Sequence, residues 1–418
     1  MKAEQQDTGL DGPQSGLRYG MRAFRHRDFT LLWGASLISN IGSWMHDMAA
    51  GWFMTTLDPT PIMVALVQSA STLPVCLLAL PAGTLADRMD KRRLLIVVQI
   101  IMLVLATALG LLVLSGAAGE GLLLAITFGM GLCTAVMSPT WQSIIPKLVP
   151  REDLQPAVAL HAVGINISRA IGPALGGLII VAFGIAWPFL INALSFVAVI
   201  GALWIWQTTP AAPRAEQQSF LASLREGLAH AAQNQALQNT LLRSLLFYSF
   251  GSAYWALLPL IARQQLHGGP SLFGVLTGCI GAGAVAGALL LPRLRHRYGL
   301  DRVLLLGILG TVASLAGFAL FHVPLLGMLT ALLAGASWIA GLSSLNVAAQ
   351  LAVPDWVRAR GMALYTTALY GCLALGSMLW GQVATRLSLT PTLLIAATGA
   401  LLGLALGHRR TLQVTRPA

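Results

Sequence analysis

Apolar residues run through this chain in blocks of about 20, the length one helix needs to cross a bilayer. The blocks fall at 30–56, 62–86, 94–114, 121–141, 159–182 and 188–206. After a polar interval at 207–240 they resume at 241–265, 272–292, 303–321, 325–350, 361–385 and 392–407. The pattern predicts an all-α membrane protein with twelve transmembrane helices, six on each side of the interval, and both termini on one face. Strands of a membrane barrel alternate in polarity over ~10 residues, and these blocks do not. The interval itself opens on Thr208-Thr-Pro-Ala-Ala-Pro213, after which Phe220, Leu221, Leu224 and Leu228 recur at helical spacing. That spacing fits an amphipathic helix on the membrane surface; a flexible tether is the other reading.

Composition agrees with lipid as the main solvent. Of 418 residues, 56% are apolar and 10% charged, with mean hydropathy +0.73, whereas a soluble domain carries about 25% charged residues. The net charge of +11 is a topological signal and not a nucleic-acid surface. Of the 26 Lys and Arg residues, only Arg263 and Arg386 lie at the second face, and Arg169 is left inside a helix. The positive-inside bias places both termini in the cytoplasm and gives the layout of an inner-type helical membrane protein. The expected organisation is a cytoplasmic tail at 1–27, a six-helix bundle at 28–206, a cytoplasmic linker at 207–240, a second bundle at 241–407 and a tail at 408–418. Arg18, Arg22, Arg25 and Arg27 precede the first block without a short apolar region and small-residue cleavage site, so that block is expected to remain as a helix. Cys76, Cys133, Cys279 and Cys372 lie singly inside apolar runs and read as core residues, not as metal ligands or disulfides.

The halves also repeat. At an offset of 204, Gly83 matches Gly287, Val149-Pro150 matches Val353-Pro354, Ala159-Leu160 matches Ala363-Leu364, and Gly172 and Gly177 match Gly376 and Gly381. Two pseudo-symmetric six-helix bundles, related by an axis along the membrane normal, are a transporter architecture with the substrate path between the halves.

The 2–3 connection reads Gly83-Thr-Leu-Ala-Asp87-Arg88-Met-Asp90-Lys91-Arg92-Arg93. It resembles the loop pattern G-x-L-A-D-R-x-G-R-K of the major facilitator superfamily. Gly83, Leu85, Ala86, Asp87, Arg88, Lys91 and Arg92 match it, and Asp90 replaces a turn glycine, a position where Asp tolerates left-handed geometry. The resemblance implies that Asp87 and its basic neighbours form a cytoplasmic gating latch, an anion near a helix N-terminus being favoured. In the second half Leu291 and Pro292 stand in place of the Asp-Arg pair and the connection from Gly287 to Arg302 is longer, so the latch is expected on one side only. Helix 5 carries Gly172-Pro173-Ala-Leu-Gly176-Gly177, a kinked, closely packing segment. It is similar to the superfamily's antiporter signature G-x-x-x-G-P-x-x-G-G with Ser168 in place of the first glycine, and favours antiport over symport.

Ionisable residues within spans cost at least ~2.5–3.5 kcal/mol each at a helix centre and therefore need a reason. Asp47, preceded by His46, is the only acid inside a block; Arg169 lies one turn from Asn166. Asp47 and Arg169 either pair or share a polar cavity. Asp47 is then a structural ion, a proton-exchanging or cation-binding carboxylate, or a residue near the membrane surface. Proton-coupled antiporters often carry an Arg in helix 4, but 122–141 has none, which leaves Arg169 as the buried cation. Trp33, Trp44, Trp52, Trp255, Trp338 and Trp380 supply interface or core aromatics, a minority of them expected in the cavity.

Phe24 to Phe29, Met63 to Gln68, Leu73-Pro74, Ala82 to Asp87 and Arg169 to Pro173 resemble the branch of the superfamily that includes bacterial enterobactin exporters and related drug-efflux proteins. The resemblance spans 24–407. It implies a proton-coupled secondary transporter of the major facilitator fold, working by alternating access and exporting an amphipathic small molecule such as a siderophore, drug or metabolite. An importer or lipid flippase of the same fold, or a transport-inactive sensor or assembly partner, are the alternatives. Small-molecule substrate, protons and the bilayer are the expected partners, without nucleic acid or cofactor, and a monomer is favoured. There is no G-x-x-x-x-G-K-[ST] run for ATP, and no nucleophile or metal cluster that would make the chain an enzyme.

Overall fold

The computed structural model describes residues 20–206, 229, 231–354 and 357–407. Among these, the chain is helical and contains no strand. The α-helices are α1 (Arg27–Leu57), α2 (Pro61–Arg88), α3 (Lys91–Leu114), α4 (Glu120–Leu148), α5 (Leu154–Phe183), α6 (Trp187–Ile205), α7 (Gln235–Leu260), α8 (Pro270–Leu320), α9 (Pro324–Ala352), α10 (Arg358–Leu387) and α11 (Leu389–Gly407). Helices dominate because a bilayer supplies no hydrogen-bond partner for an exposed backbone group. Among the described residues, nine helical segments are long and apolar enough to cross a membrane, and Leu389–Ala405 is a shorter apolar helix.

Several boundaries depart from the hydropathy pattern for local reasons. The α4 helix was expected to end at 141 but continues to Leu148, because Ile144, Ile145 and Leu148 bury themselves against Phe29, Leu32 and Leu95. The α7 helix starts at Gln235 rather than 241, where the Asn234 side chain caps it by accepting from the Leu237 N–H at 3.0 Å. The expected loop at 293–302 is helical apart from Gly299 (φ 78°, ψ 171°), a conformation suited to glycine. Arg295 holds this helical extension by donating to Ser343 Oγ at 2.7 Å. The proposed amphipathic helix through Phe220, Leu221, Leu224 and Leu228, and the terminal tails at 1–19 and 408–418, lie outside the described residues.

Two long seams join the first six helices to the rest, α2 against α10 and α5 against α8. Along the first seam the Ile62 N–H donates to Thr385 Oγ1 at 3.1 Å, and Ser69 Oγ donates to the Ala374 carbonyl at 2.8 Å. Near the same end Arg263 donates to the carbonyl and hydroxyl of Thr55 and lies 5.9 Å over the Trp52 ring. The repeated glycines make matched contacts. Gly177 abuts Pro270 and Ser271 at the start of α8, while Gly381 abuts Pro61 and Ile62 at the start of α2. Gly172 abuts Ile41 and Trp44 on α1, and Gly376 abuts Ser249 and Ser252 on α7.

At the basic face, local polar ties dominate. His26 Nε2 lies 2.8 Å from Asp153 Oδ2 and Arg22 Nε 3.3 Å from Oδ1, docking the Arg22–Arg25 turn onto the α4–α5 connection. The hydrogen bond from His26 holds the Asp153 carboxyl below the ordinary carboxylate range, against burial and with Arg22 adding to it. On the second half, Arg243 pairs with Asp301.

Candidate functional site

The position of Asp47 follows from the packing of α1. Gly42 faces Asn192 and Ser195 of α6, Ile41 and Trp44 face Gly172 of α5, and Met45 faces Gly176. Ile38, 55% exposed, projects outward between those two neighbours. Asp47 is nine residues further on, about 180° around the helix at 3.6 residues per turn. Its side chain is exposed, and its direction makes that exposure internal, toward the other half, and not toward lipid.

The same reasoning places Arg169. On α5, Gly164, Ser168, Gly172 and Gly176 pack on α1, and Ala170, Pro173 and Gly177 pack on α8. Leu178 is 59% exposed on the outer side, and Arg169, nine residues earlier, points about 180° away from it into the interior. The guanidinium carbon sits 5.2 Å from the centroid of the Trp44 ring, a cation–π contact. Tyr254 and Tyr370, from α7 and α10, lie within electrostatic range of it. Arg169 Nε is buried without a hydrogen-bond partner.

Direct pairing of Asp47 with Arg169 is not formed: among the described residues the ion pairs are Arg22–Asp153, His26–Asp153 and Arg243–Asp301. Trp44, three residues before Asp47, takes the guanidinium instead. Both charges face inward from their helices and do not pair with each other. His46 does not join them. Only 2% exposed, it packs edge-on to Phe189 of α6 with ring centroids 4.9 Å apart, and neither ring nitrogen has a partner. Asn166 spends its amide on the Ala162 carbonyl one turn back, at 2.8 Å.

The gating-loop residues divide. Gly83, Asp87 and Arg88 belong to the last turns of α2, which ends at Arg88, and their side chains lie outside the described ones. Asp90 does not adopt the left-handed turn expected for a glycine substitute. It is extended (φ −60°, ψ 114°) and caps α3, its Oδ1 accepting from the Arg93 N–H at 2.8 Å. The favourable anion at a helix N-terminus is therefore Asp90, whereas Asp87 lies at the C-terminal end of its own helix. Lys91 opens α3. Arg92 reaches α6 and donates to the Leu203 and Trp204 carbonyls at 2.7 and 2.8 Å, satisfying C-terminal acceptors that have no partner within that helix.

The helix-5 motif is a three-helix junction. Gly172 and Gly176 admit α1, and Gly177, with the Pro173 carbonyl, admits Gly274 and the start of α8. Ser168, fully buried, turns its hydroxyl back to the Gly164 carbonyl at 2.9 Å, so it is accommodated without widening the contact.

Tyr254, within electrostatic range of Arg169, belongs to an aromatic cluster in the second half. Tyr254, Trp255 and Trp338 pack tilted or edge-to-face at centroid distances of 5.7 to 6.3 Å, and Tyr248 joins its hydroxyl to that of Tyr365 at 2.7 Å. Four of the chain's six tyrosines (Tyr248, Tyr254, Tyr365 and Tyr370) lie in α7 and α10. Tyrosine well inside a span, away from the interfacial belt, is the signal that would have picked them out.

Comparisons with known proteins agree with this architecture. The transmembrane secretion effector family matches residues 20–417. Among curated relatives, the staphyloferrin A transporter of Staphylococcus aureus is 27% identical over 64% of this chain and 67% of its own length. Macrolide efflux protein A of Streptococcus pyogenes is 24% identical over 63% of this chain, and the match spans less than two thirds of its length, 65%. The enterobactin exporter EntS of Salmonella choleraesuis is 26% identical over 80% and 81% of the two chains. The crystal structure of a mutant nucleoside transporter NupG superposes with TM-score 0.76 at 15% identity, covering 92% of this chain and all of that one. A bacterial homologue of the lysosomal transporter Spinster, inward-facing and unoccupied, superposes with TM-score 0.71 at 16% identity over 95% of this chain. With its helical membrane architecture and a family match across nearly all of its length, the chain belongs to the transmembrane secretion effector family of major facilitator transporters.

Proposed function

We propose that this protein exports an amphipathic small molecule, of the siderophore, drug or metabolite class, across the bacterial inner membrane by alternating access coupled to proton antiport. Counting α1, each part of α8 on either side of Gly299, and α11 as crossings gives twelve, in two six-helix bundles with both termini and the 207–240 linker in the cytoplasm. The matched glycine contacts of α5 on α8 and α10 on α2 support the twofold relation, and the basic-residue imbalance supports the orientation. The protein works as a monomer, since the substrate path lies between halves of one chain.

The observation that carries the reading is the uncompensated pair of interior charges. Asp47 and Arg169 point inward from α1 and α5 without bonding each other, with Tyr254 and Tyr370 within electrostatic range of Arg169. A scaffold gains nothing from charges held in a membrane interior, whereas a transporter uses them on cargo and protons. In this scheme Asp47 exchanges the proton, Arg169 over Trp44 contacts the cargo, and the Asp87 loop latches the cytoplasmic side. Accumulation assays across siderophores, macrolides and cationic dyes, with and without a protonophore, test it. Wild type lowers accumulation of its cargo only while the gradient stands. Asp47→Asn loses gradient-driven export but retains energy-independent exchange. Normal export by Asp47→Asn with an unchanged pH dependence would remove Asp47 from the coupling mechanism.

A further inference from the structure

We propose that the second half of the protein holds, at its basic face, a specific site for an anionic phospholipid. A cavity of about 130 Å³ lies among α7, the part of α8 after Gly299, and α11. Leu246, Phe247, Leu304 and Ile308 form its apolar wall, and Gly403 and Leu404 bound it on α11. The surrounding outer surface is hydrocarbon-facing: Leu245, Leu306 and Leu402 are 45%, 51% and 63% exposed. An apolar cavity of about this size excludes water and accepts hydrocarbon, as engineered cavities of ~150 Å³ accept benzene.

The charged end selects the headgroup. Arg243, Asp301 and Arg302 line the cavity where α7 begins and α8 restarts after Gly299. Arg243 is engaged with Asp301, which balances one positive charge with one negative. Arg302 is exposed and gives the mouth a net positive charge among the described residues that line it, suited to a phosphate whose acyl chain enters the apolar part.

In the first half the corresponding corner is built differently: where α3 begins and α6 ends, Arg92 bonds the Leu203 and Trp204 carbonyls, and the opening nearby is a surface hollow lined by Phe24, Arg25, Arg27, Thr30, Leu31 and Ile205. Phe29, Leu32, Leu95, Leu203 and Trp206 fill the space beneath as one buried cluster. The second half leaves its corner open and places an arginine at the entrance. Anionic lipids of a cytoplasmic leaflet are drawn to such residues at about 1 kcal/mol per charge.

The test is native mass spectrometry of the full-length protein titrated in detergent with phosphatidylglycerol or with zwitterionic phosphatidylethanolamine. Wild type is expected to bind phosphatidylglycerol preferentially. Arg302→Gln weakens that binding about fivefold, the equivalent of one cation near a headgroup. Ala400→Leu, which fills the cavity, weakens both lipids. Arg297→Gln serves as the control, because Arg297 is exposed on the same face but stacks on Tyr298 at 5.3 Å outside the cavity. No headgroup preference in wild type, or an equal loss in Arg297→Gln and Arg302→Gln, would show surface electrostatics alone and overturn the site.

Discussion

Adding one methyl group at Gly177 tests whether the α5–α8 seam controls the conformational equilibrium. A Cβ there would lie 2.6 Å from the Pro270 carbonyl oxygen and 3.0 Å from Ser271 Cα, where ordinary contact begins at 3.4 Å. Both obstacles are backbone, so the helices must part by about 0.8 Å to relieve the closer one. A gap of 0.5–1 Å forfeits roughly a quarter to a half of each dispersion contact across it, and overpacking of this kind costs about 1–3 kcal/mol. Because the strain exists only while this end of the seam is closed, Gly177→Ala should shift the closed-to-open ratio roughly 5- to 150-fold. A cysteine pair at Ile62 and Thr385, whose backbone N–H and hydroxyl meet at 3.1 Å, reports closure through cross-linking in a background lacking the native cysteines. Gly172→Ala is the comparison: its Cβ meets Ile41 and Trp44 of α1, within the first six helices, so it should lower thermal stability without changing the cross-linked fraction. Equal cross-linking in Gly177→Ala and wild type, or an equal shift in Gly172→Ala, would refute the argument.

Two further measurements follow from the basic face. Asp90→Ala removes the cap of α3 and should lower stability by about 1 kcal/mol, and Arg92→Gln, which leaves two α6 carbonyls unbonded, by a similar ~1 kcal/mol; both are read as thermal midpoints in detergent. The Asp153 carboxyl titrates below the ordinary range in the folded protein, so its contribution is complete above the unfolded-state value and is lost as pH falls through the folded one. Wild type should therefore lose stability on acidification where Asp153→Asn, already lacking that contribution, changes less; parallel curves would dismiss the His26–Asp153 tie as a source of stability.

Hydropathy and charge alone were enough for the membrane class, the approximate limits of the helices and the basic face, because a bilayer penalises every exposed polar backbone group and each misplaced charge. The internal repeat was legible for the same kind of reason: glycines recur wherever two helix backbones must touch, and Gly172, Gly177, Gly376 and Gly381 make those contacts. Local sequence also held the cap signals at Asp90 and Asn234, although the former was read as a turn substitute, since the choice between capping and left-handed geometry depends on where the next helix starts. What periodicity could not supply was the partner of each inward face. That Asp47 and His46, adjacent in sequence, point to different neighbours follows from 100° per residue. That His46 meets Phe189, while Arg169 meets Trp44 in place of Asp47, is decided by how α1, α5 and α6 cross. The aromatic cluster of Tyr254, Trp255 and Trp338, and the open corner beside Arg302, likewise exist only because helices far apart in the chain pack together. Their side chains occupy space left by contacts that no single segment encodes.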